Sequence, residues 1–186
     1  MNKYDLSVLT KFLNQTEEDV EAARSRIYAF SSSTDRAEQL LDEINKLPNK
    51  LAFGLFHSVW PDCDNVYPYS EEFLEFLDSS AYEVDFKDYF TPDDRAWFDE
   101  LPERFRVYRG CDASRSAGFS WTTSREVALG FARGHRGIQY PNPVVISGMI
   151  HKRAVYMATN DRSEFEILVG FGNVREKRVT SFPGFR

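Results

Sequence analysis

In the first hundred residues, apolar side chains recur every three or four positions, the spacing found on the buried face of a helix. This pattern predicts four helices, each opened by a polar residue suited to an N-cap. The four cap residues are Thr16, Thr34, Ser70 and Thr91. Pro48 is predicted to stop the second helix, and Pro92 fits the first position of the fourth. The apolar stripes are predicted to form the core of a helical region.

From residue 104 the pattern changes to short runs of β-branched and aromatic residues, which are typical of strands. The predicted strands lie in RFRVYRG, NPVVISGMI, RAVYMA and EFEILVGFG. One helix interrupts them, REVALGFA, capped by Ser124. Helices in one block and strands in the next predict an α+β protein. We expect an N-terminal helical region at residues 1–100 packed on a core at residues 101–186, together forming one compact domain.

With 186 residues, of which 42% are hydrophobic, the chain can bury a core of ordinary size. Charges interrupt the first thirty residues, and no apolar run is long enough to span a bilayer, so we expect a cytoplasmic protein without a membrane partner. Cys63 and Cys111 have no Cys or His close in sequence, which argues against a disulfide framework or a zinc site. We therefore expect no metal.

The net charge of -6 hides two opposite halves. Residues 101–186 contain 14 Lys and Arg against 7 Asp and Glu, a net +7, whereas residues 1–100 contain 9 against 22, a net -13. The halves could simply dock on each other, or the basic half could meet the phosphates of a nucleotide or nucleic acid. On the second interpretation, Arg133 and Arg136 are candidate nucleic-acid contacts.

The stretch DRSEFEILV at residues 161–169 places Glu164 and Glu166 two positions apart. On a strand, alternation would send both carboxylates to the same face. Like charges at neighbouring positions of one face are destabilising unless something binds near them. The pair is therefore predicted to have a functional role.

Three motifs between about residues 104 and 170 occur in a characteristic order: VYRG, then GFSWTTSREVALGFA, then SEFEILV. Together they resemble the signature of the mono-ADP-ribosyltransferases of the bacterial-toxin type. That signature is an aromatic residue and an arginine at the end of a strand, a Ser-x-Thr strand leading into a helix with Ala-x-x-Phe, and a later Glu-x-Glu. The resemblance implies a split β-sheet core and NAD as co-substrate. The matching residues are Tyr108, Arg109, Ser120, Thr122, Ala128, Phe131, Glu164 and Glu166.

The resemblance also implies roles for these residues. Glu166 would be the catalytic carboxylate, hydrogen-bonding a ribose hydroxyl and stabilising the cation that forms when nicotinamide leaves. Ser120 would orient Glu166. Glu164 would engage the acceptor, usually an arginine side chain, presented by a turn at residues 156–163 with Tyr156 or Arg162 as contacts. One carboxylate would thus serve the donor and the other the acceptor.

The remaining motif residues would bind NAD. Arg109 would pair with the diphosphate, and the backbone around Arg109 and Gly110 would hold the nicotinamide carboxamide. Tyr108 belongs to the same segment, and Thr122 and Phe131 would line the cleft. Trp121, between the two hydroxyl residues, is expected to point away from them and pack in the sheet.

The expected function is transfer of ADP-ribose from NAD to a macromolecule, with protein arginine favoured as acceptor and nucleic acid such as RNA second. The resemblance implies a toxin of a toxin-antitoxin or phage-defence system, with an antitoxin as a partner, or a phage effector. Two alternatives stay open. One is an NAD glycohydrolase, and the other is a non-enzymatic module that binds nucleic acid through its basic half.

Overall fold

The computed structural model describes residues 15–134 and 139–182. The chain forms two compact units, Met1–Asp85 and Phe86–Arg186. The helix Pro92–Glu100 belongs to the second unit, whereas the division predicted from the sequence placed it with the helical region. The physical reason is that Phe90 and Phe98 are buried in the core of the sheet.

The first unit contains four described helices. They are α1 (Glu17–Phe30), α2 (Arg36–Ile44), α3 (Asn49–Val59) and α4 (Ser70–Ser80). The predicted start of α1 is confirmed, because Thr16 and Asp19 form a capping box there. Helix α3 is absent from the sequence-based prediction. Pro48 both ends the preceding segment and serves as the N-cap residue of α3.

A buried carboxylate links α1 and α2. Glu43 is only 7% exposed, and it accepts hydrogen bonds from Arg26 Nη2 at 2.6 Å and Lys46 Nζ at 2.9 Å. Burial by itself raises the pKa of Glu43, but the hydrogen bonds from Arg26 and Lys46 outweigh it and hold the pKa below the ordinary value. The charged pair therefore fixes the packing of the two helices without leaving an unpaired buried charge.

In its described residues, the second unit contains a six-stranded sheet and two α-helices. The helices are α5 (Pro92–Glu100) and α6 (Arg125–Arg133), and the strands are β1 (Arg104–Asp112), β2 (Ser120–Thr122), β3 (Pro143–His151), β4 (Met157–Thr159), β5 (Glu166–Leu168) and β6 (Arg175–Ser181). The strand order is β4-β5-β2-β1-β3-β6, and every neighbouring pair is antiparallel. The protein thus combines helices with an antiparallel sheet, in keeping with the predicted α+β class.

The two faces of the sheet are covered differently. One face holds the main apolar core, in which Val107, Trp121 and Ile167 pack with Phe98 of α5. Trp121 is 2% exposed, so the prediction that it packs in the sheet is confirmed. On the other face, α6 packs through small residues on part of β1 and β3. Among the described residues, no helix is both long and apolar enough to cross a membrane.

Gly110 allows α6 to lie very close to β1. A Cβ atom at this position would lie 1.8 Å from the carbonyl oxygen of Ala128 and 2.7 Å from the backbone nitrogen of Ala132. Both atoms belong to a helix backbone, which cannot move aside as a side chain can. Glycine is therefore required here by helix packing.

Replacing Gly110 with alanine is expected to lower the free energy of unfolding by about 1 to 3 kcal/mol, the usual cost of overpacking. Urea denaturation measures the change. Gly130→Ala is the matched control, because a Cβ there meets nothing within 4 Å and alanine favours the helix. That control should be at least as stable as the wild-type protein, and equal stability of Gly110→Ala and wild type would contradict the packing role.

Candidate functional site

A serine hydroxyl and a glutamate carboxylate meet where β2 lies against β5. The antiparallel register pairs Thr122 with Glu166 and Ser120 with Leu168. The Ser120 hydroxyl donates a hydrogen bond to Glu166 Oε1 at 2.5 Å. Both residues are half-buried. Residues 46 positions apart in the chain are thus brought together, and one oxygen of the Glu166 carboxylate has a fixed position.

Arg109 lies at the point where β1 and β2 separate. Strands β1 and β2 pair at Tyr108 and Thr122. Next to this pair, Arg109 Nη1 donates to the carbonyl of Ser120 at 2.7 Å, and Nη2 to the carbonyl of Arg115 at 3.4 Å. The guanidinium therefore ties β1 to the backbone of the residue that holds Glu166.

A glycine makes room for this guanidinium. A Cβ atom on Gly118 would lie 2.2 Å from Arg109 Nη2 and 2.3 Å from its Cζ. Of the five N–H groups of the guanidinium, two donate to carbonyls and the one on Nε is buried, so one on each terminal nitrogen remains for a ligand. Arg109 is half-buried, so it can still meet a phosphate while it fixes the strand.

Thr122 has a structural position that the sequence analysis did not predict. It is 5% exposed, and its hydroxyl donates to the carbonyl of Glu164 at 2.7 Å and accepts from the backbone N–H of Ser124 at 3.0 Å. Both hydrogen bonds of the Thr122 hydroxyl are made to the backbone. The expectation that this hydroxyl lines a cleft is therefore wrong. Thr122 instead joins the segment before β5 to the start of α6.

The expectation that Glu164 and Glu166 share one face of a strand is wrong. Strand β5 begins at Glu166, and Glu164 directly follows the short 3₁₀ turn Asp161–Ser163. Phe165 has φ 51°, a left-handed conformation that breaks the alternation between the two glutamates. Glu164 is half-buried, and its carboxylate makes no hydrogen bond or ion pair within the described part of the chain. The two carboxylates thus differ, since one is held by a serine and the other is not.

Helix α5 anchors the turn that contains Glu164. Asp94, 7% exposed, accepts a hydrogen bond from the backbone N–H of Asn160 at 2.6 Å. The rings of Trp97 and Phe165 lie 5.8 Å apart at the other end of the turn. Sequence reasoning identified the N-cap Thr91 of this helix, which is confirmed, but it did not identify Asp94 or Trp97. Nothing in the local pattern of α5 indicates a partner 66 residues away.

The turn predicted at residues 156–163 is shorter than expected. Strand β4 occupies Met157–Thr159 and pairs with β5. Tyr156 is 8% exposed and packs edge-on against Phe86, with ring centroids 5.6 Å apart, so its proposed contact with an acceptor is wrong. Arg162 is exposed beside Asp161, at 3.6 Å, and has φ 56°. Of the two candidate acceptor contacts, Arg162 alone is accessible.

Three residues expected near NAD lie on the side of the sheet where α6 packs. Tyr108 packs against Ala128 and Ala132, and the close approach at Gly110 is to the helix backbone. Helix packing therefore accounts for the glycine at position 110, and the binding of the nicotinamide carboxamide by the backbone around Arg109 and Gly110 stays a prediction. Phe131 lies on α6 and is half-buried. Arg133 is exposed at the end of α6, and Arg136 lies outside the described residues.

Nucleophilic thiol chemistry and metal binding have less support. Burial raises the pKa of the Cys111 thiol, against the opposing effect of nearby Arg109, so the thiol is not activated as a nucleophile. Within residues 15–134 and 139–182, no group of three or more His, Cys, Asp and Glu side chains could hold a metal ion.

Comparison of the chain with models of protein families, with curated proteins and with solved structures found no match.

Proposed function

We propose that this protein is an NAD-dependent mono-ADP-ribosyltransferase that transfers ADP-ribose to a macromolecule and releases nicotinamide. The observation that supports this most strongly is the hydrogen bond from Ser120 to Glu166 at 2.5 Å. The motif resemblance implies that Ser120 contacts Glu166. In the structure the two residues, which lie on separate strands, make this contact. A chance pair of solvated side chains has no reason to meet in this way.

The chemistry explains why a held carboxylate is useful. Breaking the bond between nicotinamide and ribose develops positive charge on the sugar, as in glycoside hydrolysis. A carboxylate fixed in advance stabilises that charge without having to reorganise during the reaction. Ser120 supplies the fixing contact, and the Glu166 carboxylate can in turn accept a hydrogen bond from a ribose hydroxyl. Glu166 is therefore assigned to the donor half of the reaction.

Arg109 fits the diphosphate of the substrate. Its guanidinium is anchored on two carbonyls and keeps one N–H on each terminal nitrogen, a planar pair of donors suited to phosphate oxygens. The anchoring also places this charge next to the backbone of Ser120, the residue whose hydroxyl holds Glu166. One side chain can thus bind the donor and support the strand that orients the catalytic carboxylate.

Glu164 is assigned to the acceptor. Its carboxylate has no partner among the described residues, whereas its backbone is tied to Thr122. A carboxylate that is positioned but unpaired can accept a proton or a hydrogen bond from an incoming group. Protein arginine is the favoured acceptor and nucleic acid the second. We further propose a toxin of a toxin-antitoxin or phage-defence system, or a phage effector, as the biological setting.

The proposal is tested with NAD labelled on its adenylate half, a whole-cell lysate and the purified protein. Label is expected on a macromolecule, and nicotinamide should appear in equal amount. Protease should remove the label if the acceptor is protein, and nuclease should remove it if the acceptor is nucleic acid. A parallel sample with the Glu166→Gln variant corrects for transferases in the lysate. Label found only as free ADP-ribose would favour the glycohydrolase, and no release of nicotinamide would contradict both enzymes.

A further inference from the structure

The face of the sheet on which α6 packs is covered only in part. The register places alternate residues of β1 and β3 on this face, with Tyr108 opposite Ser147 and Gly110 opposite Val145. Helix α6 covers Val145 and part of Tyr108. Further along the same strands, Arg104 and Arg106 are exposed, and Ser147, Met149 and His151 are half-buried. This uncovered part is called the open face.

Strand β6 extends the open face with more arginine. Arg178 pairs with Ser147 and Arg175 with Met149, so the register puts both on the same side as Arg106. Every residue of β6 is exposed. Four arginines on β1 and β6, the two strands that flank β3, therefore border one exposed surface. They are Arg104, Arg106, Arg175 and Arg178.

Few carboxylates neutralise this charge. Arg104 pairs with Glu176 at 3.3 Å, and His151 lies 3.9 Å from the exposed Glu103. Arg106, Arg175 and Arg178 form no ion pair or hydrogen bond within the part of the chain that the structure describes. Three unpaired guanidinium groups on one face repel one another, so a bound polyanion would stabilise the arrangement.

Protection of a sheet edge explains only some of these arginines. Charged residues on an edge strand prevent pairing with other chains, and β6 is an edge strand. Strand β1, however, lies inside the sheet between β2 and β3, where no edge needs protection. Arg106 on β1 is nevertheless exposed and unpaired. A ligand accounts for the charge on both strands.

We propose that the open face binds the phosphodiester backbone of a nucleic acid. Arginine suits phosphate because its planar guanidinium makes two hydrogen bonds to phosphate oxygens. A protein or membrane partner would require apolar anchors. Of the exposed large hydrophobic residues, Val179 alone lies on these strands, and its pairing with Ile146 puts it on the opposite face. Binding at this surface requires neither NAD nor the proposed transferase activity.

The test is binding of the full chain to fluorescein-labelled 20-nucleotide RNA, DNA and duplex probes by anisotropy, without NAD. If three arginines each neutralise one phosphate of a single strand, raising the salt from 50 to 200 mM should weaken binding about 20-fold. In the double variant R106A/R178A the same change should weaken binding only about threefold, and its affinity at 50 mM should fall at least tenfold. The three probes distinguish RNA, DNA and duplex as the source of phosphate.

Arg24→Ala is the control, since Arg24 is an exposed arginine on α1 that pairs only loosely with Glu21, at 3.7 Å. It should keep the wild-type affinity and salt dependence. Circular dichroism must show that the double variant is folded, which we expect because both replaced side chains are exposed. No probe binding at 50 mM salt, equal loss in the control, or binding to phosphatidylserine vesicles alone would overturn the proposal. Because the assay contains no NAD, its result is independent of whether the protein is a transferase.

Discussion

Replacing Glu166 with glutamine is expected to slow nicotinamide release by about 100- to 1000-fold, the usual effect of removing one preorganised charge-stabilising group. Glutamine keeps the shape of the side chain, and its amide oxygen can still accept the hydrogen bond from Ser120. Only the negative charge is lost. Because that charge is needed whichever group attacks the ribose, transfer to an acceptor and hydrolysis by water should fall together. Initial rates of nicotinamide release measure both.

Two further variants make this result specific. Glu103→Gln removes the same charge from a side chain that is 81% exposed, and it should leave the rate unchanged. Ser120→Ala keeps the Glu166 carboxylate but removes the bond that holds it, so it should lower the rate by less than Glu166→Gln does. Melting temperatures close to wild type in all three variants exclude unfolding as the cause. A Glu166→Gln protein with full activity would contradict the enzymatic proposal itself.

The parts of the site that sequence could predict are those set by local rules. Ser124 precedes a helix-spaced apolar stripe, and it does cap α6 by accepting from the N–H of Val127 at 3.3 Å. Alternation along Ser120, Trp121 and Thr122 predicts that the ring and the hydroxyls point to opposite faces, and Trp121 is in the core. The contact between Ser120 and Glu166 came from the motif resemblance, since no local pattern connects two strands so far apart in the chain.

The sequence-based predictions fail where the structure depends on unusual backbone angles or on contacts between distant segments. Alternation placed Glu164 on a strand, but Arg162, Ser163 and Phe165 all have positive φ, which no rule predicts for these residue types. The hydrogen bond from Asn160 to Asp94 anchors the turn and explains why such a conformation can persist. Asp94 lies on α5, a helix that precedes every strand of the sheet in the chain. A turn with several positive φ angles can be recognised only from the tertiary contacts that hold it.

Helix α3 was missed for a different reason. Its buried residues Ala52, Phe53, Leu55, Phe56 and Val59 do recur at helical spacing, but no Ser, Thr, Asp or Asn precedes the helix as an N-cap. From the sequence, Pro48 is predicted only to stop the second helix. A proline that ends one segment also suits the start of the next, because its own N–H is not needed there.

Replacing Glu164 with glutamine is expected to separate transfer from hydrolysis. The Thr122 hydroxyl bonds to the backbone carbonyl of Glu164, at 2.7 Å, so the substitution leaves the turn anchored. Only the unpaired carboxylate changes, and a group that activates an acceptor typically contributes at least about 100-fold. Acceptor labelling should therefore fall on the order of 100-fold. Hydrolysis should persist within about twofold of wild type, because Glu166 still stabilises the cation and water needs no positioned acceptor.

Nicotinamide release and acceptor labelling are measured side by side in the same reactions, with Glu166→Gln as the comparison. The ratio of labelling to release should collapse for Glu164→Gln, whereas for Glu166→Gln both quantities should fall and the ratio stay near the wild-type value. Equal loss of both quantities in Glu164→Gln would show that this carboxylate also acts on the donor. Unchanged labelling would show that Glu164 does not act on the acceptor. The comparison separates the two carboxylates by chemistry, as the structure separates them by position. Glu166 lies on β5 and accepts from a serine hydroxyl, whereas Glu164 lies in a turn and its carboxylate has no partner among the described residues.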